Sequence, residues 1–183
     1  AFGWPYKDDV KSANGLYQLF QTSEPLGVAH WSNEARQHTL STVRDVLRKS
    51  HHIVVVGAAT AQGDFNREWP RGTSFIAADG AVGAFPDDIK PVCVVTDLDG
   101  AEHLDRAASA GVTLVVHAHG DNQHRWERMI PQWAENGQPP LVLTHQTGES
   151  YESMYNPGGF TDGDRAACFL NWLGIDLNKV ELV

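Results

Sequence analysis

VCVVTDLD (92–99) decides the fold. Its opening residues form an apolar run without alternation, the pattern of a strand covered on both faces of a sheet. Two acids, Asp97 and Asp99, follow directly. The same layout recurs on either side: SFIAAD (74–79) closes on Asp79 ahead of Gly80, and LVVHAHGD (114–121) closes on Asp121. In an open parallel sheet the carboxyl ends of the strands border one crevice, where ligands bind. The four aspartates are therefore predicted to gather along one rim. In a chain of net charge −9 they repel one another and any phosphate. A divalent cation resolves both conflicts, because hard carboxylate oxygens suit Mg²⁺ and Mg²⁺ suits phosphates. A Mg²⁺–phosphate site is the first inference.

Outward from these runs, strand and helix patterns alternate, the signature of a parallel sheet with crossover helices. Strands are predicted at about 53–57, 73–78, 91–96, 112–117, 140–144 and 179–183. Helices are predicted at about 101–110, 122–136 and 163–173, with a short turn near 80–85. Before the first strand the pattern is helical. Asp8 or Asp9 can cap a helix running to about Phe20, SEPLG (23–27) breaks it, and Ser32 caps a second helix over 33–49. The expected class is α/β, a Rossmann-like three-layer sandwich with a mostly parallel sheet and a helical N-terminal extension. Residues 1–50 are read as a helical segment packed on a catalytic domain at 51–183, the two forming one unit. The strand-like KVELV at the C-terminus is expected at a sheet edge, unless further residues complete the crevice there.

Composition narrows the class. At 183 residues with 42% hydrophobic content, one domain with a full core is the natural reading. A pI near 5.3 without a Lys/Arg-rich run argues against nucleic acid or an anionic membrane as partner. No apolar stretch approaches the ~18 residues of a membrane span. AFGWPYKDD lacks the basic-then-apolar layout of a signal peptide, and also an initiator Met. Cys93 and Cys168 sit among apolar residues and read as buried thiols of a reducing cytoplasm, a disulfide between them being the alternative. A homo-oligomer is compatible with all of this.

Each motif has a functional and a plain reading. The loop GAATAQGDFN (57–66), led by Gly57, has small residues that let backbone approach a ligand, yet it is neither a P-loop nor GxGxxG; otherwise it is a βα turn. Asp79-Gly80 is either a ligand or a turn with glycine supplying positive φ. TDLDG (96–100) holds a cation, forms a turn, or marks a haloacid-dehalogenase phosphatase with a nucleophilic first Asp. That signature continues with Thr or Val and opens its domain, whereas here Ala101 follows and the strand is the third. His117-Ala-His119-Gly-Asp121-Asn122 resembles a dinuclear metallo-hydrolase motif, although that motif continues with His and needs an antiparallel sandwich. The plain reading gives the histidines internal hydrogen bonds and makes Asp121 a helix cap. In GGFTDGDR (158–165), Thr161 or Asp162 is an N-cap. The glycine N–H groups, the helix start and the Arg165 fork also suit phosphate. Tyr155 and Phe160 stack on a flat heterocycle or simply pack, and the role of His145 and Gln146 is open.

Taken together, AADGAVGAFPDDIKPVCVVTDLDG (77–100), VVHAHGDN (115–122) and NPGGFTDGDRA (156–166) resemble the archaeal hydroxymethyl-dihydropterin pyrophosphokinase family, similar in fold to thiamine pyrophosphokinase. FGWPYKDDVKSANGL (2–16) also looks like that family's start. The resemblance spans essentially the whole chain. Family members continue past KVELV and carry a Gly/Pro/Ser-containing version of the 57–65 loop. HAHGDN and GFTDGDRA match the pterin branch rather than the thiamine one. The resemblance implies Mg²⁺-ATP as donor, a reduced pterin as acceptor, and a place in tetrahydromethanopterin or folate-type biosynthesis. It puts Asp97 and Asp99 on the principal Mg²⁺, with Asp79 and Asp121 as further or water-mediated ligands. Asp162 and Asp164 are expected at a second metal or the acceptor, and Arg165 and Asn122 on phosphate oxygens. Gly57, Gly80 and Thr161 are expected at the nucleotide, and Asp121 or His119 is the candidate base. The remaining classes are a metal-dependent phosphatase or hydrolase and a non-catalytic Mg²⁺-ATP-binding module.

Overall fold

The computed structural model of the chain describes residues 5–183, so Phe2–Trp4 of the 2–16 stretch lie outside the described residues. The strands are β1 (His52–Val56), β2 (Thr73–Ala78), β3 (Cys93–Thr96), β4 (Thr113–Ala118), β5 (Leu141–His145), β6 (Met154–Tyr155) and β7 (Val180–Leu182). They form one sheet in the order β6–β5–β4–β3–β2–β1–β7, and every neighbouring pair is parallel. The helices are α1 (Tyr6–Leu19), α2 (Asn33–Lys49), α3 (Ala101–Ser109), α4 (Gln123–Glu135) and α5 (Asp162–Trp172).

The unbroken apolar runs are explained by burial on both faces. Val94, Leu114, Val116, Leu141 and Leu143 join one cluster with residues of α1, α3 and α4. Their alternates Val95, Val115 and Val142 join Ile53, Val55 and Ile76 against α2 and α5. A smaller cluster holds Val54, Val56 and Phe75 under Phe65 of the loop after β1. Three layers result, as the sequence predicts. The N-terminal helices share these cores: Leu16, Phe20 and Trp31 are wholly buried in the first cluster. Burying side chains of this size stabilises by about 1.5–3 kcal/mol each.

The element boundaries lie close to those predicted, with three departures. α1 starts at Tyr6 behind Pro5 without a side-chain cap; Asp8 and Asp9 fall in its first turn, where the helix dipole favours them. Asp9 instead accepts a hydrogen bond from the Gly120 N–H at 2.7 Å, tying α1 to the segment after β4. The turn expected near 80–85 is a 3₁₀ helix over Asp79–Ala84. β6 has only two residues, too few for any periodicity to show. Ser32 does cap α2, accepting from Ala35 N–H at 3.3 Å, and β7 does lie at an edge, beside β1. Both cysteines are free thiols, but only Cys93 is fully buried. Among the described residues no helix is long and apolar enough to cross a membrane.

Candidate active site at the carboxyl rim of the sheet

α5 carries the chain from β6 at one edge back to β7 at the other, packing on β1, β2 and β3. Its first turn therefore meets the carboxyl ends of β2 and β3. There Asp79, Asp97 and Asp162 bring one carboxylate oxygen each within 4.8 Å of one another. Two local features allow the approach. Asp79 adopts φ +48° on leaving β2. Gly100 lets the turn after β3 press on it, because a Cβ there would stand 2.7 Å from Gly80 N and 3.0 Å from Asp79 Oδ2. Asp79 and Asp162 open onto a cavity of about 830 Å³ lined also by Gly57, Thr60, Gly80, Asp99 and Thr161.

One guanidinium serves two of the carboxylates. Arg165 Nη1 donates to Asp97 Oδ2 at 3.1 Å and to Asp162 Oδ1 at 3.0 Å, and its side chain is only 4% exposed. Burial pushes the Asp97 carboxyl up, but the His119 hydrogen bond and the Arg165 charge outweigh it and hold it at about 2. Asp162 goes the other way: burial and the Asp97 charge raise it to about 7 despite Arg165. Burial also raises Asp79, against a hydrogen bond from Thr96. A single cation thus faces three acids, and the buried Asp97 Oδ1 has no hydrogen-bond partner among the described residues. The arrangement is an oxygen-only donor set in which the acids outnumber the cations.

Asn122 and two histidines build the frame. The wholly buried Asn122 amide donates to Asp97 O at 2.9 Å and His117 O at 2.6 Å, and its Oδ1 accepts from His119 N–H at 3.0 Å. Its N–H groups are spent on backbone, so it braces the ends of β3 and β4 rather than reaching a phosphate. His119 Nε2 lies 3.3 Å from Asp97 Oδ2, while its Nδ1 accepts the Asp121 N–H at 3.3 Å. His117 is buried, with Nδ1 at 3.0 Å from Thr144 Oγ1 and Nε2 at 3.3 Å from Gln146 Oε1. Burial and the Arg165 charge push its pKa well below the usual imidazole range, so it is neutral. These bonds match the plain reading of the histidines; no zinc cluster of His, Cys or acids forms around them among the described residues.

The other expected ligands lie apart from the triad. Asp99 is exposed and ion-paired with Arg125 of α4, a residue with no signal in the sequence. Asp121 is exposed. Asp164 turns back to accept from Phe160 N–H at 2.8 Å, completing the cap in which Thr161 Oγ1 accepts from Asp164 N–H at 3.4 Å. Arg165 lies beneath the carboxylates as their counter-charge, not extended toward a phosphate. Tyr155 packs on Trp172, ring centroids 5.0 Å apart. Thr96, whose hydroxyl reaches Asp79, is a contact that sequence reading misses. Only its place in the TDLDG motif hints at it.

Fold and site together define an α/β protein with a carboxylate–arginine cluster in the crevice at the carboxyl ends of a parallel sheet. No protein-family model matches the chain. It is similar to three proteins named 6-hydroxymethyl-7,8-dihydropterin pyrophosphokinase. The match to the Methanocaldococcus jannaschii protein is 40% identical and covers 92% of this chain and 67% of that one. For the Pyrococcus furiosus protein the identity is 43%, over 63% of this chain and 46% of that one. For the Methanothermobacter thermautotrophicus protein it is 33%, over 76% and 60%. The chain belongs to the 6-hydroxymethyl-7,8-dihydropterin pyrophosphokinase family, and it spans about half to two thirds of the length of these relatives.

Proposed function

We propose that this chain transfers diphosphate from ATP to the hydroxyl of 6-hydroxymethyl-7,8-dihydropterin, giving AMP and the pterin diphosphate, with Mg²⁺ held by Asp79, Asp97 and Asp162. The observation that carries the reading is the triad itself, three carboxylates within 4.8 Å, two of which line a cavity of about 830 Å³, in a chain whose relatives bear that enzyme name. The donor set suits the ion. All three ligands are hard oxygens, as Mg²⁺ requires, and the unpartnered Asp97 Oδ1 is an oxygen in need of a positive partner. When bound, the ion supplies charge neutralisation for the donor phosphates and the acids facing them.

The chain's own residues do the rest. Arg165 keeps Asp97 ionised from below and orients it together with Asp162. Gly57, Gly80 and Gly163 let backbone come close to a ligand in the cavity. Diphosphate transfer needs the acceptor oxygen in line with the β-phosphorus, so positioning and charge supply most of the acceleration. Of the two candidate bases, His119 has both ring nitrogens engaged, which leaves Asp121 with the exposed carboxylate. The reaction belongs to tetrahydromethanopterin or folate-type biosynthesis in the cytoplasm.

Incubation with ATP, Mg²⁺ and the reduced pterin, read by chromatography, tests the proposal. AMP and pterin diphosphate in equal amounts are expected. Inorganic phosphate released from a monoester without AMP makes the chain a phosphatase instead. Saturable ATP binding with no product across a panel of acceptors makes it a binding module.

A further inference from the structure

We infer that Thr96, a fully buried residue ending β3 that does not line the cavity, is a positioning residue that sets the metal affinity of the site by fixing the Asp79 carboxylate. This rests on the divalent-cation reading above. A hydroxyl has one proton to give and lone pairs to accept with. Thr96 Oγ1 accepts the Leu98 N–H at 2.8 Å, and its proton is directed to Asp79 Oδ1. One side chain thereby joins the two turns that leave β2 and β3. Both turns open on non-glycine residues in the left-handed region, Asp79 at φ +48° and Leu98 at φ +75°, a backbone form that persists only where its surroundings over-determine it.

The backbone of Asp79 is held independently, by the close approach of Gly100 to Gly80. What remains to be fixed is the rotation of the Asp79 side chain, whose carboxylate also accepts a hydrogen bond from the Gly80 backbone. Its neighbours Asp97 and Asp162 repel it, and Arg165, which serves those two, makes no bond to it. The Thr96 hydroxyl is the side-chain donor that opposes this repulsion, and it is out of solvent, where competing water does not weaken it. Outer groups that orient metal ligands typically change metal affinity by about 10–100-fold when removed.

The test uses Mn²⁺ as the probe, its affinity read by electron paramagnetic resonance, on wild type, Thr96→Val and Thr96→Ser, with circular dichroism and thermal melting as fold checks. Valine keeps the shape of threonine without the hydroxyl; serine keeps the hydroxyl without the methyl. The expected result is Mn²⁺ binding at least ~10-fold weaker in the valine variant and within ~3-fold of wild type in the serine variant. A folded valine variant that binds Mn²⁺ like wild type overturns the role of Thr96 and leaves the cation reading standing. Wild type that binds no Mn²⁺ overturns the cation reading itself. If the valine variant does not fold, Thr96→Cys, with a weaker donor in a similar volume, takes its place: weaker Mn²⁺ binding supports the role of Thr96, and binding like wild type overturns it.

Discussion

Asp162 provides the sharpest electrostatic prediction. In the unfolded chain its carboxyl titrates near the ordinary 3.8, whereas in the folded protein burial and the Asp97 charge raise it to about 7. Between those values the unfolded chain has released a proton that the native protein still holds. Stability must therefore fall as pH rises through the window and level off above about 7. From pH 5 to pH 8 the loss is about 3 kcal/mol, at ~1.4 kcal/mol per unit of displacement. Asp162→Asn keeps the shape and removes the titration, and comparison with wild type cancels every other group that titrates in the same range. Urea unfolding of both proteins at pH 5 and pH 8, in chelator, measures the effect. Wild type should lose about 3 kcal/mol more than the variant over that interval. Excess Mg²⁺ should shrink the wild-type loss, since a bound cation favours the ionised carboxylate. Parallel pH profiles for the two proteins would refute the claim that burial and the Asp97 charge keep the Asp162 carboxyl protonated up to about 7.

Other perturbations follow from the same geometry. Asp97→Asn should leave a folded protein and lower AMP release from ATP and the reduced pterin by at least ~100-fold; near-normal turnover removes Asp97 from the mechanism. Gly100→Ala places a Cβ 2.7 Å from Gly80 N, so one of the two turns must move. A ~100-fold loss in turnover is expected from such a displacement of the triad, with crystallography of the variant showing the shift. Asn122→Ala strips three hydrogen bonds from buried backbone groups and should cost about 3 kcal/mol or more in urea unfolding, where each unsatisfied group costs about 1–3 kcal/mol.

Much of the fold was legible because burial on both faces writes itself into composition: VCVV, IVVV and TLVV cannot be half-exposed strands. Ser32 and Thr161 announced two helix starts through capping chemistry that operates within three residues. β6 carried no such signature, being shorter than any period. For the site, sequence order told which loops reach the rim and that acids populate them. It did not tell which acids meet. Asp97 and Asp99 are two apart in the chain, yet one accepts from Arg165 while the other leaves for Arg125.

By itself, then, the chain's pattern determined a parallel α/β layer structure, an acidic crevice and a family, since each depends on local periodicity or on strings of residues that survive as strings. The tertiary structure alone decided that Asp162, rather than Asp99 or Asp121, completes the group with Asp79 and Asp97, that Arg165 lies under the acids, and that Asn122 and Thr96 hold the turns in place. Those outcomes depend on where α5 lands after crossing the sheet and on two left-handed turns that Gly100 allows to touch. Such contacts between distant segments have no period for a sequence to display.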